Sequence, residues 1–320
     1  MSIESKQPIQ EVKEKLHPRN KHKFRYNFPE LLTSLPELGS FVSRNQFEDL
    51  SIDFKNPDAV KTLNKALLKH FYAINWWEIP VGYLSPPIPG RADYIHYVAD
   101  LLASGNNEII PRGKAVKVLD IGVGANCIYP LIGNREYGWN FVGSEIDATA
   151  IRSAKKIVHS NLLSKAIEIR KQNSPKHIFA DLILPAETFD LTICNPPFHA
   201  SLAEANAGTI RKWKNLGAPK KAASMLNFGG NYKELWYEGG EESFVRQMIT
   251  ESADFARCFW FTSLISKKET LPACYRALEK VKAVEVKTIS MAQGQKVSRL
   301  LAWTFLDQEA QQAWKLNHWK

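Results

Sequence analysis

Residues 115–127 read Ala115-Val116-Lys117-Val118-Leu119-Asp120-Ile121-Gly122-Val123-Gly124-Ala125-Asn126-Cys127. The first seven make a short, mostly apolar run, and two glycines follow directly. A run of this length closed by glycines reads as a buried strand. Glycine at its end permits a tight turn and a close approach of backbone to a ligand. The same rhythm repeats outward, with residues 141–145, 167–170, 189–194 and 258–264 reading as further strands. Helical patterns separate them: one capped by Asp147 and carrying Ile151, Ala154 and Val158, and others over 241–257 and 271–281. This alternation is the signature of βαβ units around a parallel sheet. Residues 284–289 and 300–306 read as two closing strands around the turn Gln293-Gly294-Gln295, a connection so short that they must run antiparallel.

Before this region the pattern differs. Residues 1–25 carry a dense basic block that includes Lys13, Lys15, His17, Arg19, Lys21, His22, Lys23 and Arg25. Such a block reads as a flexible arm suited to nucleic acid, or as a solvated tail. Residues 28–103 read as helical and punctuated. Asn56-Pro57-Asp58 starts a helix with Val60, Leu63, Leu67 and Leu68 on one stripe. The turn Ser85-Pro86-Pro87-Ile88-Pro89-Gly90 precedes another, with Tyr94, Ile95, Val98, Leu101 and Leu102 apolar.

Composition narrows the class. The 320 residues are 44% hydrophobic and 23% charged, an ordinary globular balance for one large domain or two smaller ones. Lys and Arg outnumber Asp and Glu by 42 to 33, a formal charge of +9 that suits a polyanionic partner. Cys127, Cys194, Cys258 and Cys274 form no C-x-x-C pair and no zinc-spaced cluster, so no metal is expected and the compartment is reducing. No apolar run approaches the ~20 residues that span a bilayer, and residues 1–15 lack an apolar signal core. A cytoplasmic protein, without membrane contact and monomeric, is the expectation.

Two motifs carry chemistry. Asp120-Ile121-Gly122-Val123-Gly124 matches the D-x-G-x-G pattern of S-adenosyl-L-methionine-dependent methyltransferases, with Asn126 where a third glycine is usual. A dinucleotide loop instead requires glycine at Cys127, and the following helix is interrupted by Pro130. Glu145, ending the next strand, offers a carboxylate able to accept both ribose hydroxyl protons of an adenosine-containing cofactor. The strand over 189–194 then ends in Asn195-Pro196-Pro197-Phe198. Ligands of open α/β sheets bind beyond such strand ends. The prolines stiffen the backbone and remove two donors, leaving the Asn195 side-chain oxygen and the Pro196 carbonyl as acceptors. Acceptors that grip both N–H bonds of a conjugated amine favour a tetrahedral nitrogen and free its lone pair, and Phe198 adds a face on which an extruded base stacks.

Both motifs resemble the amino methyltransferases of class I fold, a Rossmann-like, mostly parallel seven-stranded α/β sheet. The fuller set resembles the bacterial 23S ribosomal RNA adenine-N(6) methyltransferases and the eukaryotic small-nuclear-RNA adenine methyltransferases. It comprises Leu16-His17-Pro18-Arg19-Asn20, Pro89-Gly90-Arg91-Ala92-Asp93-Tyr94-Ile95-His96, Gly124-Ala125-Asn126-Cys127-Ile128-Tyr129-Pro130-Leu131, Ser144-Glu145-Ile146-Asp147 and Gln293-Gly294. The resemblance implies that Arg91 pairs with the cofactor carboxylate and that Asp120, Gly122 and Gly124 line its methionine end. Glu145 would hold the ribose, Asn173 the adenine, and Asn195 the target amine. It implies 23S ribosomal RNA, or a large-subunit assembly intermediate, as partner. The change of pattern along the sequence divides the chain into 1–105, a basic arm and helical RNA-binding module, and 106–320, the catalytic domain. A stretch after Phe198 with Arg211, Lys212, Trp213, Lys214, Lys220 and Lys221 suits phosphate contact and base stacking. Other readings stay open: a protein glutamine methyltransferase, which favours Tyr at position 198; a nicotinamide dehydrogenase, which leaves Pro196 and Pro197 without a role; and an RNA-binding scaffold with a dead site.

Overall fold

The computed structural model describes residues 16–197, 237–255, 257–293 and 296–319. Seven strands form the central sheet: β3 (Lys117–Ile121), β4 (Asn140–Glu145), β5 (Ile167–Lys171), β6 (Phe189–Cys194), β7 (Cys258–Ile265), β8 (Glu285–Gln293) and β9 (Lys296–Thr304). Their order is β5-β4-β3-β6-β7-β9-β8. Strands β3 to β7 pair in parallel, and β9 runs antiparallel to both β7 and β8. β6 is buried at every residue, as expected for a strand covered on both faces.

Helices α4 (Ile128–Tyr137), α5 (Ala148–Ser160), α6 (Gly240–Ser252) and α7 (Leu271–Lys280) follow strands in the expected alternation. Asp147 caps α5 by accepting from the amides of Thr149 and Ala150, an arrangement worth ~1 kcal/mol. Pro130 does not interrupt α4. It lies in the first turn, where amides have no intrahelical acceptor, so the missing N–H costs little. The helix expected over 241–257 ends at Ser252 and closes with a tight turn over Ala253–Phe255.

The N-terminal region holds α1 (Phe28–Ser34), α2 (Pro57–Tyr72) and α3 (Ile88–Ser104). Between α1 and α2 a small hairpin, β1 (Val42–Arg44) with β2 (Leu50–Ile52), replaces part of the helical, punctuated pattern expected there. Each strand has three residues, too few for alternation to register. Residues 16–25 correct the reading of a flexible arm. His17, Asn20 and His22 are buried, the His17 amide donates to Asp93, and Arg19 pairs with Asp100. Lys21 pairs with Glu136 and Arg25 with Asp49, so much of this charge is neutralised in place. Residues 1–15 lie outside the described residues.

One apolar core runs from Leu31 and Leu67 through α3 to Val118, Leu191 and Phe259, uniting this region with one face of the sheet. A second core on the other face gathers Val245, Met248, Phe261 and Trp303. A last helix, α8 (Gln308–His318), has no counterpart in the sequence reading. Its Trp314 and the following Trp319 donate indole N–H to Oδ1 of buried Asp190, while Oδ2 accepts the Lys117 amide at 2.7 Å.

Candidate active site

The strand order reverses between β3 and β6, so a crevice forms where their carboxyl ends meet. Ile121 pairs with Cys194 in the β3–β6 register, so Gly122 and Asn195 leave the sheet side by side. Gly122 takes a φ of +71° with open space where a Cβ would stand, which any larger residue would fill under strain. The loop is held from several sides. Trp77 donates to the Asn126 carbonyl at 2.9 Å, and Ser153 donates to that of Ala125 at 2.9 Å. Gly124 N–H donates to Oε2 of Glu145 at 3.0 Å.

A cavity of about 1350 Å³ opens above this junction. Arg91, Gly122, Gly124, Glu145, Asn195 and Pro197 all line it. Asp120 and Pro196 are buried beside it rather than on its surface. Asn173 is not among the lining residues, although its neighbours Gln172 and Ser174 are. Phe198 and the basic stretch from Arg211 to Lys221 lie outside the described residues.

The electrostatics of the cavity suit a zwitterionic ligand. Arg91 donates to the Tyr129 hydroxyl at 2.7 Å and stacks over its ring. Burial pushes the Tyr129 phenol up to about 12, against the pull of Arg91. Asp120 is almost fully buried, and among the described residues neither carboxylate oxygen has a hydrogen-bond partner. Burial pushes it well above the usual carboxylate range; Arg91 opposes this and Glu145 adds to it. An unpartnered buried carboxylate is costly, and a ligand ammonium would relieve it. Glu145 is also raised by burial, although three backbone amides oppose the shift. Its Oε1 accepts from Ile146 at 2.7 Å and Asp147 at 3.0 Å, and Oε2 from Gly124. A carboxylate offers roughly four lone-pair sites, so the remaining one is on Oε2.

Several lining residues escaped the sequence reading. Tyr129 lies in a quoted motif, but nothing local marks it as the partner of Arg91. Tyr83, just before the proline-rich turn, donates its hydroxyl to Asp147 at 2.7 Å at the cavity edge. The wall formed by Ser243, Phe244 and Gln247 of α6 carries no sequence signal at all.

Among the described residues, no cluster of His, Cys, Asp or Glu has the makings of a metal site. No helix there is long and apolar enough to cross a membrane.

A glycine loop after the first strand of a parallel sheet, an acid ending the second and an antiparallel closing hairpin define a class I S-adenosyl-L-methionine-dependent methyltransferase. The RNA methyltransferase family profile matches residues 10–307, and the chain belongs to that family. Ribosomal RNA large subunit methyltransferase F of Pseudomonas fluorescens is 55% identical over 316 residues, 98% of this chain and 93% of its own. The protein of the same name from Photobacterium profundum is 54% identical, covering 100% of this chain and 99% of its own. Among solved structures, the hMettl16 catalytic domain in complex with a MAT2A 3'UTR hairpin superposes with a TM-score of 0.78 at 32% identity, covering 92% of this chain and 96% of that one. The N-terminal domain of human METTL16 in complex with SAH gives 0.72 at 29%, covering 91% and 99%.

Proposed function

We propose that this protein transfers a methyl group to the exocyclic N(6) amine of one adenine in 23S ribosomal RNA. The observation that carries the reading is the pairing of Ile121 with Cys194, which sets the cofactor loop and the Asn195 turn on one cavity. The names of the bacterial relatives at 54–55% identity support the ribosomal substrate.

In this reading Arg91 pairs with the carboxylate of S-adenosyl-L-methionine and Asp120 balances its ammonium, with Gly122 and Gly124 giving the backbone room. The free lone pair on Oε2 of Glu145 accepts a ribose hydroxyl, and the turn at Gln172-Asn173 borders the adenine. When bound, the cofactor supplies an electrophilic methyl group. Asn195 Oδ1 and the Pro196 carbonyl accept the two N–H bonds of the target amine and favour a tetrahedral nitrogen with its lone pair free. Pro197 stiffens the turn, and Phe198 provides the face on which the extruded base stacks. The methylated nitrogen is acidic and loses its proton without a strong base. Such preorganised acceptors act mainly in the transition state.

The wider reading assigns residues 1–105 as the RNA-binding module and 106–320 as the catalytic domain. It places a metal-free monomer in the cytoplasm, acting on 23S ribosomal RNA or a large-subunit assembly intermediate. The test uses ribosomal RNA from cells lacking the enzyme, labelled methyl donor, and identification of the modified nucleoside after digestion. Asn195→Ala is expected to lower turnover by on the order of 100-fold while cofactor binding survives. Near-normal turnover in that variant removes Asn195 from the mechanism, and a label on any nucleoside other than N(6)-methyladenosine overturns the substrate.

A further inference from the structure

On its β7 side, strand β6 ends on a side chain rather than on the neighbouring strand. The last register pair between β6 and β7 is Leu191 with Trp260. Beyond it, the Thr262 amide donates to Thr192 Oγ1 at 3.1 Å, and Thr262 Oγ1 donates to the Thr192 carbonyl at 2.6 Å. The amide of Cys194, the residue before Asn195, donates to the hydroxyl of Tyr94 at 3.1 Å. That hydroxyl lies 2.8 Å from Thr262 Oγ1.

The proton directions in this chain follow from the inventory. A carbonyl only accepts, so the single hydroxyl proton of Thr262 is already committed to Thr192. Tyr94 must therefore donate to Thr262 Oγ1, which leaves its own oxygen to accept the Cys194 amide. The result is one directed series, from Cys194 N–H through Tyr94 and Thr262 to the Thr192 carbonyl. Tyr94 and Thr262 are fully buried, so water does not substitute for either.

Tyr94 also stands one helical turn after Arg91 on α3. Its ring meets that of Tyr129 edge-on, with centroids 5.4 Å apart, and Tyr129 is the hydrogen-bond partner of Arg91. Helix α3 thus bears both on the cavity wall that carries Arg91 and on the backbone from which Asn195 projects. Residues three apart on a helix keep a fixed separation.

We propose that Tyr94 is a positioning residue for methyl transfer, its hydroxyl holding the end of β6 so that Asn195 and the Pro196 carbonyl stand in register with the cofactor held by Arg91. The proposal rests on the reading of Asn195 and Arg91 given above. Misplacement of reacting groups by about 1 Å can cost on the order of 100-fold in rate, so the Cys194 bond is a sensitive point of control.

Tyr94→Phe removes the hydroxyl and keeps the ring against Tyr129. Measured in the full chain with 23S ribosomal RNA, kcat is expected to fall by about 10- to 100-fold. The Kd for S-adenosylhomocysteine is expected to change by less than about threefold, since the loop and Arg91 are untouched. Thr262→Val, which removes the acceptor for the Tyr94 proton, is expected to reproduce the kcat loss, and Thr262→Ser to restore it. Should Tyr94→Phe fail to fold, the two Thr262 variants decide the question. Wild-type kcat in Tyr94→Phe, or in Thr262→Val, overturns the proposal, as does a loss of kcat matched by an equal loss of cofactor affinity. Asn195→Ala measured alongside separates the two levels. Normal turnover there defeats the underlying reading, whereas a dead Asn195→Ala beside a fully active Tyr94→Phe defeats only the role of Tyr94.

Discussion

Replacing Glu145 with Gln separates two roles that this carboxylate combines. In the native structure it accepts three backbone amides, from Gly124, Ile146 and Asp147. A glutamine side chain has one acceptor oxygen and one donor nitrogen. If its oxygen faces Ile146 and Asp147, an NH₂ group confronts the Gly124 N–H; the reverse orientation leaves two amides opposed. Either way at least one buried amide loses its partner, at a cost of about 1–3 kcal/mol in stability. Separately, the charge-assisted acceptor for a ribose hydroxyl disappears or reverses, a loss of about 1.5–3 kcal/mol in binding. At 1.4 kcal/mol per tenfold, the Kd for S-adenosylhomocysteine should rise roughly 10- to 100-fold. Calorimetric titration at a temperature well below the melting transition reads the second effect, and a thermal melt reads the first. A lowered Tm with a Kd within twofold of wild type would show that Glu145 only scaffolds the glycine loop, and the ribose assignment would fall.

Two further outcomes test the frame around the site. Glu187 sits between Arg170 and Lys117; burial acts to raise it, but hydrogen bonds from both cations prevail and hold it down at about 2. Its contribution to stability is therefore complete above about pH 4.5 and lost as pH falls toward 2, so Glu187→Gln should destabilise clearly at pH 7 and progressively less below pH 4. An equal penalty at pH 7 and pH 3 in chemical denaturation would refute this. Asp190→Ala strips three N–H donors of their acceptor, at about 1–3 kcal/mol each, and should lower Tm by about 5–10 °C with a red shift in tryptophan fluorescence as Trp314 and Trp319 come loose; an unchanged melt would mean that α8 docks through its apolar contacts alone.

The central sheet and the two loops at its switch point were legible in the chain because their signals are local. Buried strands announce themselves as short apolar runs, a sharp turn demands glycine, and Pro196-Pro197 stiffens any backbone that carries it. Corrections came where the deciding partner is distant in sequence. The basic block over 16–25 has the composition of a solvated arm, yet Asp93 and Asp100 of α3 draw it into the core. Helix α8 has little apolar character of its own and is held through Asp190, 124 and 129 positions away from the two indoles it accepts.

The amino-acid order by itself determined which residues form the cavity's two loops, since periodicity and glycine geometry act within a few residues. Only the folded chain decided how those groups are held: Arg91 against Tyr129 across 38 positions, and the Cys194 amide against Tyr94 across 100. The reason is physical. A buried polar group must find a partner wherever packing places one, and packing is a property of the whole core rather than of any local stretch.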